Sequence, residues 1–174
     1  MYIETEAKFE VKPNELEEIR ARFLQMGAVP VLGPDTEENQ LFDFPDRRLA
    51  HAGCALRLRS YAGRTEVTFK GPVQSDPLLK KREEIETLAE SADALKRIFE
   101  RLGLVVCFGY SKTREIMQYQ EGSDRYQICP DQTPVGSFVE IEGSAEGIKQ
   151  LAAAFGWSEF IKKSYVDLYQ ERLP

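Results

Sequence analysis

The stretch Ile3-Glu4-Thr5-Glu6-Ala7-Lys8-Phe9-Glu10-Val11 decides the fold. Ile3, Thr5, Ala7, Phe9 and Val11 alternate with the charged Glu4, Glu6, Lys8 and Glu10. A period of two is that of a β-strand, so one face is largely apolar and the other is charged. Glu4, Glu6 and Lys8 then point the same way, with about 7 Å between successive groups at strand rise. Two acids at this spacing suit a divalent cation, and a lysine beside them suits a negatively charged ligand. The solvated face of an antiparallel sheet would show the same pattern. What separates the two readings is that the pattern returns along the chain.

Leu56-Arg57-Leu58-Arg59 puts two guanidiniums on one face and two leucines on the other. Thr68-Phe69-Lys70 and Lys112-Thr113-Arg114 repeat the arrangement, and Arg82, Glu84 and Glu86 share a face with Ile85 opposite. Phe138-Val139-Glu140-Ile141-Glu142 brings a second pair of acids. Between these strands the spacing predicts an amphipathic helix from Pro13-Asn14 to about Met26, striped by Leu16, Ile19, Phe23 and Leu24 and stopped at Gly27. Val29 to Phe44 reads as extended pieces around a polar loop at Gly33 to Asn39. Asp46 caps a short helical turn ending near Gly53. Cys54 to Tyr61 and Thr65 to Lys70 form a hairpin about Ala62-Gly63. A Pro-bearing loop over Gly71 to Leu79 leads to a strand at Lys80 to Thr87. Ser91 caps a second helix, Ala92 to Leu102. Strands follow at Val105 to Gln120, Tyr126 to Cys129 and Ser137 to Glu142, then a helix at Ala145 to Phe155 and a last segment at Tyr165 to Arg172. Eight strands and three main helices in one domain over residues 1–174 are expected, without repeats or linkers.

Three helices on one face of an open sheet would make a two-layer α+β protein with no chemistry required. Exposed sheet faces usually mix Thr, Ser, Gln and Lys, whereas here arginines and glutamates alternate strand by strand. Eight antiparallel strands also suffice to close into a barrel and remove their edges. The expectation is therefore an α+β protein built on a closed eight-stranded antiparallel β-barrel, with helices packed outside and a wet, charged lumen. An unpaired buried charge costs several kcal/mol, so the acids and bases of such a lumen must neutralise each other, a metal or a ligand. Two carboxylate pairs with Lys8, Arg57, Arg59, Lys70, Lys112 and Arg114 describe a polyphosphate site. Neither GxxxxGK[ST] nor GxGxxG occurs, so the phosphate is not held by a Gly-rich turn.

Bulk properties narrow the chemistry. The chain has 174 residues, 42% hydrophobic and 30% charged, enough for a proper core. A net charge of −6 argues against nonspecific binding to nucleic acid or membrane surfaces, although 23 basic residues remain. His51 is the only histidine, which removes most zinc sites and His-dependent triads. Carboxylate ligands favour Mg²⁺ or Mn²⁺. Cys54, Cys107 and Cys129 lack a CxxC spacing and fit a reduced compartment. No apolar run approaches a membrane span and a strand starts almost at Met1, so a cytoplasmic location is expected.

In order along the chain, Glu4-x-Glu6-x-Lys8, Phe42-Asp43, Leu56 to Arg59, Thr68 to Lys70 and Arg82 to Glu86 resemble the CYTH domain, also called the triphosphate tunnel metalloenzyme superfamily. Lys112-x-Arg114, Asp131, Gly136 to Glu142 and Ser164-Tyr165 continue the resemblance over nearly the whole chain. It implies an eight-stranded barrel whose tunnel binds a small-molecule triphosphate with Mg²⁺ or Mn²⁺. Glu4, Glu6, Glu140 and Glu142, with Asp131, would be the metal ligands. Lys8, Arg57, Arg59, Lys70, Arg82, Lys112 and Arg114 would grip phosphates, and Lys163 would approach the same site. Lys8 is the candidate for proton movement beside Glu4 and Glu6, and a salt bridge to either acid is its alternative role. A monomer or homodimer is expected, with no nucleic-acid or membrane partner.

Two reactions suit such a tunnel. Water attacks the terminal phosphoryl group in a triphosphatase, whereas the ribose 3′ oxygen of ATP attacks the alpha phosphorus in a class IV adenylate cyclase. Those cyclases tend to carry a His-Phe pair ahead of the two glutamates, and here only Met1, Tyr2 and Ile3 precede Glu4. Against this, Lys112 to Gly143 is similar to proteins of that cyclase type. Hydrolysis of inorganic tripolyphosphate, thiamine triphosphate or a nucleoside triphosphate is the leading expectation, with the cyclase as its alternative. A noncatalytic polyphosphate binder would need the bases more than four metal-binding acids. Tyr2, Tyr61, Phe108 and Tyr110 can stack on a base or simply pack.

Overall fold

The charged alternation of the strands closes on itself. A computed structural model describes residues 3–173, so Tyr2 lies outside the described residues. Its strands are β1 (Ile3–Val11), β2 (Val29–Asp43), β3 (Ala55–Tyr61), β4 (Arg64–Lys70), β5 (Lys80–Ala89), β6 (Val105–Glu121), β7 (Asp124–Thr133) and β8 (Gly136–Glu142). They form a closed antiparallel barrel in the order β1-β5-β4-β3-β2-β6-β7-β8. β1 is the closing strand: Glu4 lies opposite Arg82 of β5, while Glu6 and Lys8 lie opposite Glu142 and Glu140 of β8. Closure leaves no unpaired sheet edge and gathers one face of every strand around the axis.

The apolar faces look outward, so the main hydrophobic core lies outside the barrel. Ala7, Phe9 and Val11 of β1 and Val139 and Ile141 of β8 pack against Ile19 and Phe23 of α1 (Leu16–Gln25) and Ile148, Leu151 and Ala152 of α4 (Ala145–Phe155). Phe9 and Phe23 each stack with the aromatic set around Trp157. A second cluster, of Phe42, Leu58 and Leu104, takes Leu95 and Phe99 of α3 (Ala92–Arg101). A third joins Val135 and Phe138 to Tyr165, Leu168 and Tyr169 of α5 (Tyr165–Arg172). α2 (Arg48–His51) is a single short turn, and its exposed His51 takes no part in the lumen. Among the described residues no helix is long and apolar enough to cross a membrane.

The Ser91 cap read from the sequence is present, accepting from the Ala94 amide, and Ser144 likewise accepts from the Gly147 amide. The cap expected at Asp46 falls instead to Asp43, which accepts from the Leu49 and Ala50 amides of α2, while Asp46 takes the Arg48 amide at 3.3 Å. Ser164 and Asp167 form a capping box that starts α5. Two strands run further than expected. Gly33 to Asn39 is part of β2, not a loop, and β7 extends through Pro130 to Thr133. Gly33 holds φ +82°, and a Cβ there would come within 2.5 Å of both the Arg114 carbonyl and the Tyr61 hydroxyl. Only glycine allows that approach, which leaves Tyr61 free to donate to the Arg114 carbonyl at 2.9 Å.

Candidate active site: a charged tunnel

A cavity of about 1250 Å³ runs inside the barrel. Period-two alternation brings Glu4, Glu6 and Lys8 of β1, Arg57 and Arg59 of β3 and Lys70 of β4 to its wall. Arg82, Glu84 and Glu86 of β5, Lys112 and Arg114 of β6 and Glu140 and Glu142 of β8 line it too. Two expected site residues are absent from that wall. Asp131 is fully buried behind it, its carboxylate accepting from Arg114 Nε at 2.7 Å, Lys112 Nζ at 2.9 Å and the Tyr165 hydroxyl. Asp131 holds bases in place instead of facing the lumen. Lys163 immediately precedes the α5 cap, so its side chain turns outward to Glu171, 2.8 Å away and 55% exposed. It reaches the site through its backbone carbonyl, which accepts a 2.8 Å hydrogen bond from Lys8 Nζ.

The cationic side of the tunnel is built on acids that sequence reasoning passed over. Glu37 of β2 is 0% exposed and lies 3.5 Å from Arg59 and from Lys112 and 3.6 Å from Arg114. Burial works against its charge, but Lys112, Arg114 and Arg59 outweigh it and hold the carboxyl well below the usual range. Asn39 donates to the same carboxylate at 2.9 Å. Glu66 of β4 takes Arg59 at 2.5 Å and Arg57 at 3.4 Å. Among the described residues Arg57 Nε is buried with no hydrogen-bond partner. Lys8 and Lys112 both sit over the Tyr165 ring, at 4.0 and 4.1 Å. Burial pulls the Lys8 ammonium below its usual pKa despite the nearby Glu140 and Glu6. Glu140 Oε1 lies 3.4 Å from Lys8, and its other oxygen takes Arg114.

The acidic side is organised differently. Glu4, on β1, shares hydrogen bonds with Glu84 of β5 and Glu142 of β8. Burial opposes ionisation of Glu4, but Lys70 and the bonds from its two carboxyl neighbours lower it to about 2. Burial and Glu4 push Glu142 up to about 9. Burial and Glu4 likewise push Glu84 up to about 8, although Lys70 bonds it directly. At neutral pH this trio therefore carries protons in place of positive charge. Among the described residues Glu4 Oε2 is buried without a hydrogen-bond partner, and Lys70 Nζ stands 3.6 Å from it. Glu6 is taken by Lys80 at 2.8 Å, a lumen-lining lysine that the motif reading left out.

Among the described residues no three His, Cys, Asp or Glu side chains already form a metal cage. The donor set nevertheless fits a hard divalent cation: it is all carboxylate oxygen, Lys70 is the one described cation paired with Glu4 and Glu84, and Glu4 Oε2 is buried with no hydrogen bond among the described residues. The aromatic candidates divide. Tyr61 is buried and committed to the Arg114 carbonyl, whereas Phe108 and Tyr110 line the cavity while packing on Tyr169. All three cysteines are free.

A closed eight-stranded barrel with its core outside and ionised side chains converging within defines a tunnel protein. The chain belongs to the CYTH domain family, which matches residues 2–166. A protein of Methanocaldococcus jannaschii provisionally named an adenylate cyclase is 31% identical over 144 residues, covering 76% of this chain and 80% of that one. A Vibrio parahaemolyticus structure with the same provisional name superposes with a TM-score of 0.75 at 22% identity, over 97% and 98% of the two chains. A Hippeastrum structure, provisionally named an adenylyl cyclase and described as having dominant triphosphatase activity, gives a TM-score of 0.70 at 20% identity, over 97% and 95%.

Proposed function

We propose that this protein is a divalent-metal-dependent triphosphatase that cleaves the terminal phosphate of a triphosphate lying in the tunnel. The observation that carries this reading is the juxtaposition, in one lumen, of a cationic wall and a carboxylate trio, Glu4, Glu84 and Glu142, with which one lysine, Lys70, pairs. Arg57, Arg59, Lys112 and Arg114, with Lys8, Lys70 and Arg82, take the phosphate oxygens, arginines in bidentate fashion and lysines as point charges. Glu4 and Glu142, with Glu84 and Glu6 beside them, hold Mg²⁺ or Mn²⁺, while Glu140 keeps Lys8 and Arg114 in place. A bound divalent cation supplies charge neutralisation at the phosphate oxygens as negative charge moves to the leaving group. Water attacks the terminal phosphorus, the bond to the bridging oxygen breaks, and a diphosphate leaves. Lys8 is the group placed to hold or pass a proton, because it is buried against Tyr165, bonded to the Lys163 carbonyl and more acidic than a free lysine.

The cyclase is the second reading, and the Methanocaldococcus jannaschii relative supports it. Its name does not decide between the reactions, since the Hippeastrum fold neighbour has a cyclase name and a dominant triphosphatase activity. The products decide. Incubation with tripolyphosphate, thiamine triphosphate or ATP plus Mg²⁺ or Mn²⁺ should release orthophosphate. Cyclic AMP with pyrophosphate from ATP would replace this reading with the cyclase.

A further inference from the structure

Two acids of the tunnel lie outside the proposed metal set, and one of them, Glu66, also holds Arg57 and Arg59. Glu66 of β4 and Glu86 of β5 are hydrogen-bonded to each other and line the cavity. Along β4 from the β3–β4 turn, Arg64, Glu66 and Lys70 line the cavity, with the buried Thr68 between the last two on the same strand face. Glu66 faces Arg59 across β3, and Glu86 stands opposite Thr68. The two carboxyls thus stand level with Arg59 and Arg57, on the turn side of Lys70 and Glu84. Arg64 beyond them is exposed, where water and salt screen it, whereas Glu66 is buried. Glu66 already occupies Arg59 and Arg57 from that side, and Arg57 Nε, unpartnered among the described residues, remains for a ligand.

Resting on the triphosphate reading, we propose that Glu66, backed by Glu86, is a specificity-determining residue that ends the phosphate track and restricts the tunnel to chains of about three phosphates. A longer polyphosphate running on from Lys70 toward the turn must press further anionic groups against a buried carboxylate that already holds Arg57 and Arg59. Like charges facing each other in a confined site discriminate by repulsion, without any new attractive contact to the correct substrate.

The test is the ratio of kcat/KM for tripolyphosphate to that for tetrapolyphosphate and long-chain polyphosphate, with Mg²⁺ or Mn²⁺. Wild type should favour tripolyphosphate at least tenfold, and Glu66→Gln should reduce that preference about tenfold. Glu86→Gln, which leaves the Glu66–arginine pairs intact, should reduce it less and provides the reading if Glu66→Gln fails to fold. A merely structural role would lower all three substrates together and leave the ratio unchanged. Equal wild-type rates on long and short chains, or a ratio unmoved in both variants, overturns the proposal alone. Wild type that cleaves none of the three overturns the triphosphatase reading, and this inference with it.

Discussion

The tunnel's two sides solve the same problem, buried charge, in opposite ways. Around Glu37 and Asp131 each carboxylate is met by two or more bases at 2.5–3.6 Å, so the cationic wall is finished before any ligand arrives. Around Glu4, Glu84 and Glu142 acids face acids, only Lys70 among the described residues pairs with them, and burial with the neighbouring acid keeps Glu84 and Glu142 protonated at neutral pH. The contrast separates a wall whose charges are paired within the fold from a cluster in which three acids share one lysine. Preorganised bases are what a phosphate needs. An undercompensated acid cluster is what a divalent metal needs.

The largest expected effect tests the finished side. Glu37→Leu leaves Lys112 and Arg114 less compensated in the interior, and removing one partner from such a buried set costs about 3–5 kcal/mol. Urea unfolding should show a loss of this size, and a change below about 1 kcal/mol would mean that Glu37 is not the anchor. Next comes the unfinished side. Glu4→Gln should lower metal-dependent turnover about 100-fold, near 2.7 kcal/mol at the barrier, with circular dichroism unchanged; near-normal turnover would remove Glu4 from the metal set.

A smaller effect separates phosphate grip from general charge. Arg57→Ala should raise KM for tripolyphosphate about tenfold, near 1.4 kcal/mol, and weaken orthophosphate inhibition much less. Equal effects on both would count against a contact specific to the extended chain. The smallest effect is in pH. Glu84 and Glu142 titrate at about 8 and 9 when folded, well above an unfolded glutamate. The native state therefore binds more protons than the unfolded chain, and metal-free stability falls as pH rises through these values. Melting temperature in chelator should drop by a few degrees between pH 6.5 and 9.5, and Mg²⁺ or Mn²⁺ should restore it most at the alkaline end. A flat profile without metal would show that the trio is not short of positive charge.

Much of this was legible in the sequence, for reasons that particular residues make plain. The alternation in β1, β3 and β8 gave strands, faces and closure, because each sets bulky apolar side chains against charges. α4 was read at its observed bounds, since Ser144 caps it and Gly156 ends it. Gly33 to Asn39 was misread because a strand whose inward face is wet and whose outward Glu38 and Gln40 meet solvent loses the apolar signal altogether. Glu37 was lost with that segment; its signal was its place two residues before Asn39 and four before Leu41 on the face that reaches the lumen. Pro130 hid the end of β7, and with it the burial of Asp131. Lys163 was misplaced because proximity along the chain to Ser164-Tyr165 does not say which way a side chain leaves a helix cap. Lys80 carried a fair signal, standing two residues before Arg82 on the same strand face.

Completion of the acid cluster by a divalent cation can be measured by titrating Mn²⁺ into the protein calorimetrically at pH 7.5 in buffers of different ionisation heat. Binding should release about one proton per ion as the protonated carboxyls give way to metal, and Glu4→Gln should abolish it. Absence of binding, or binding with no proton released, would contradict completion by a cation.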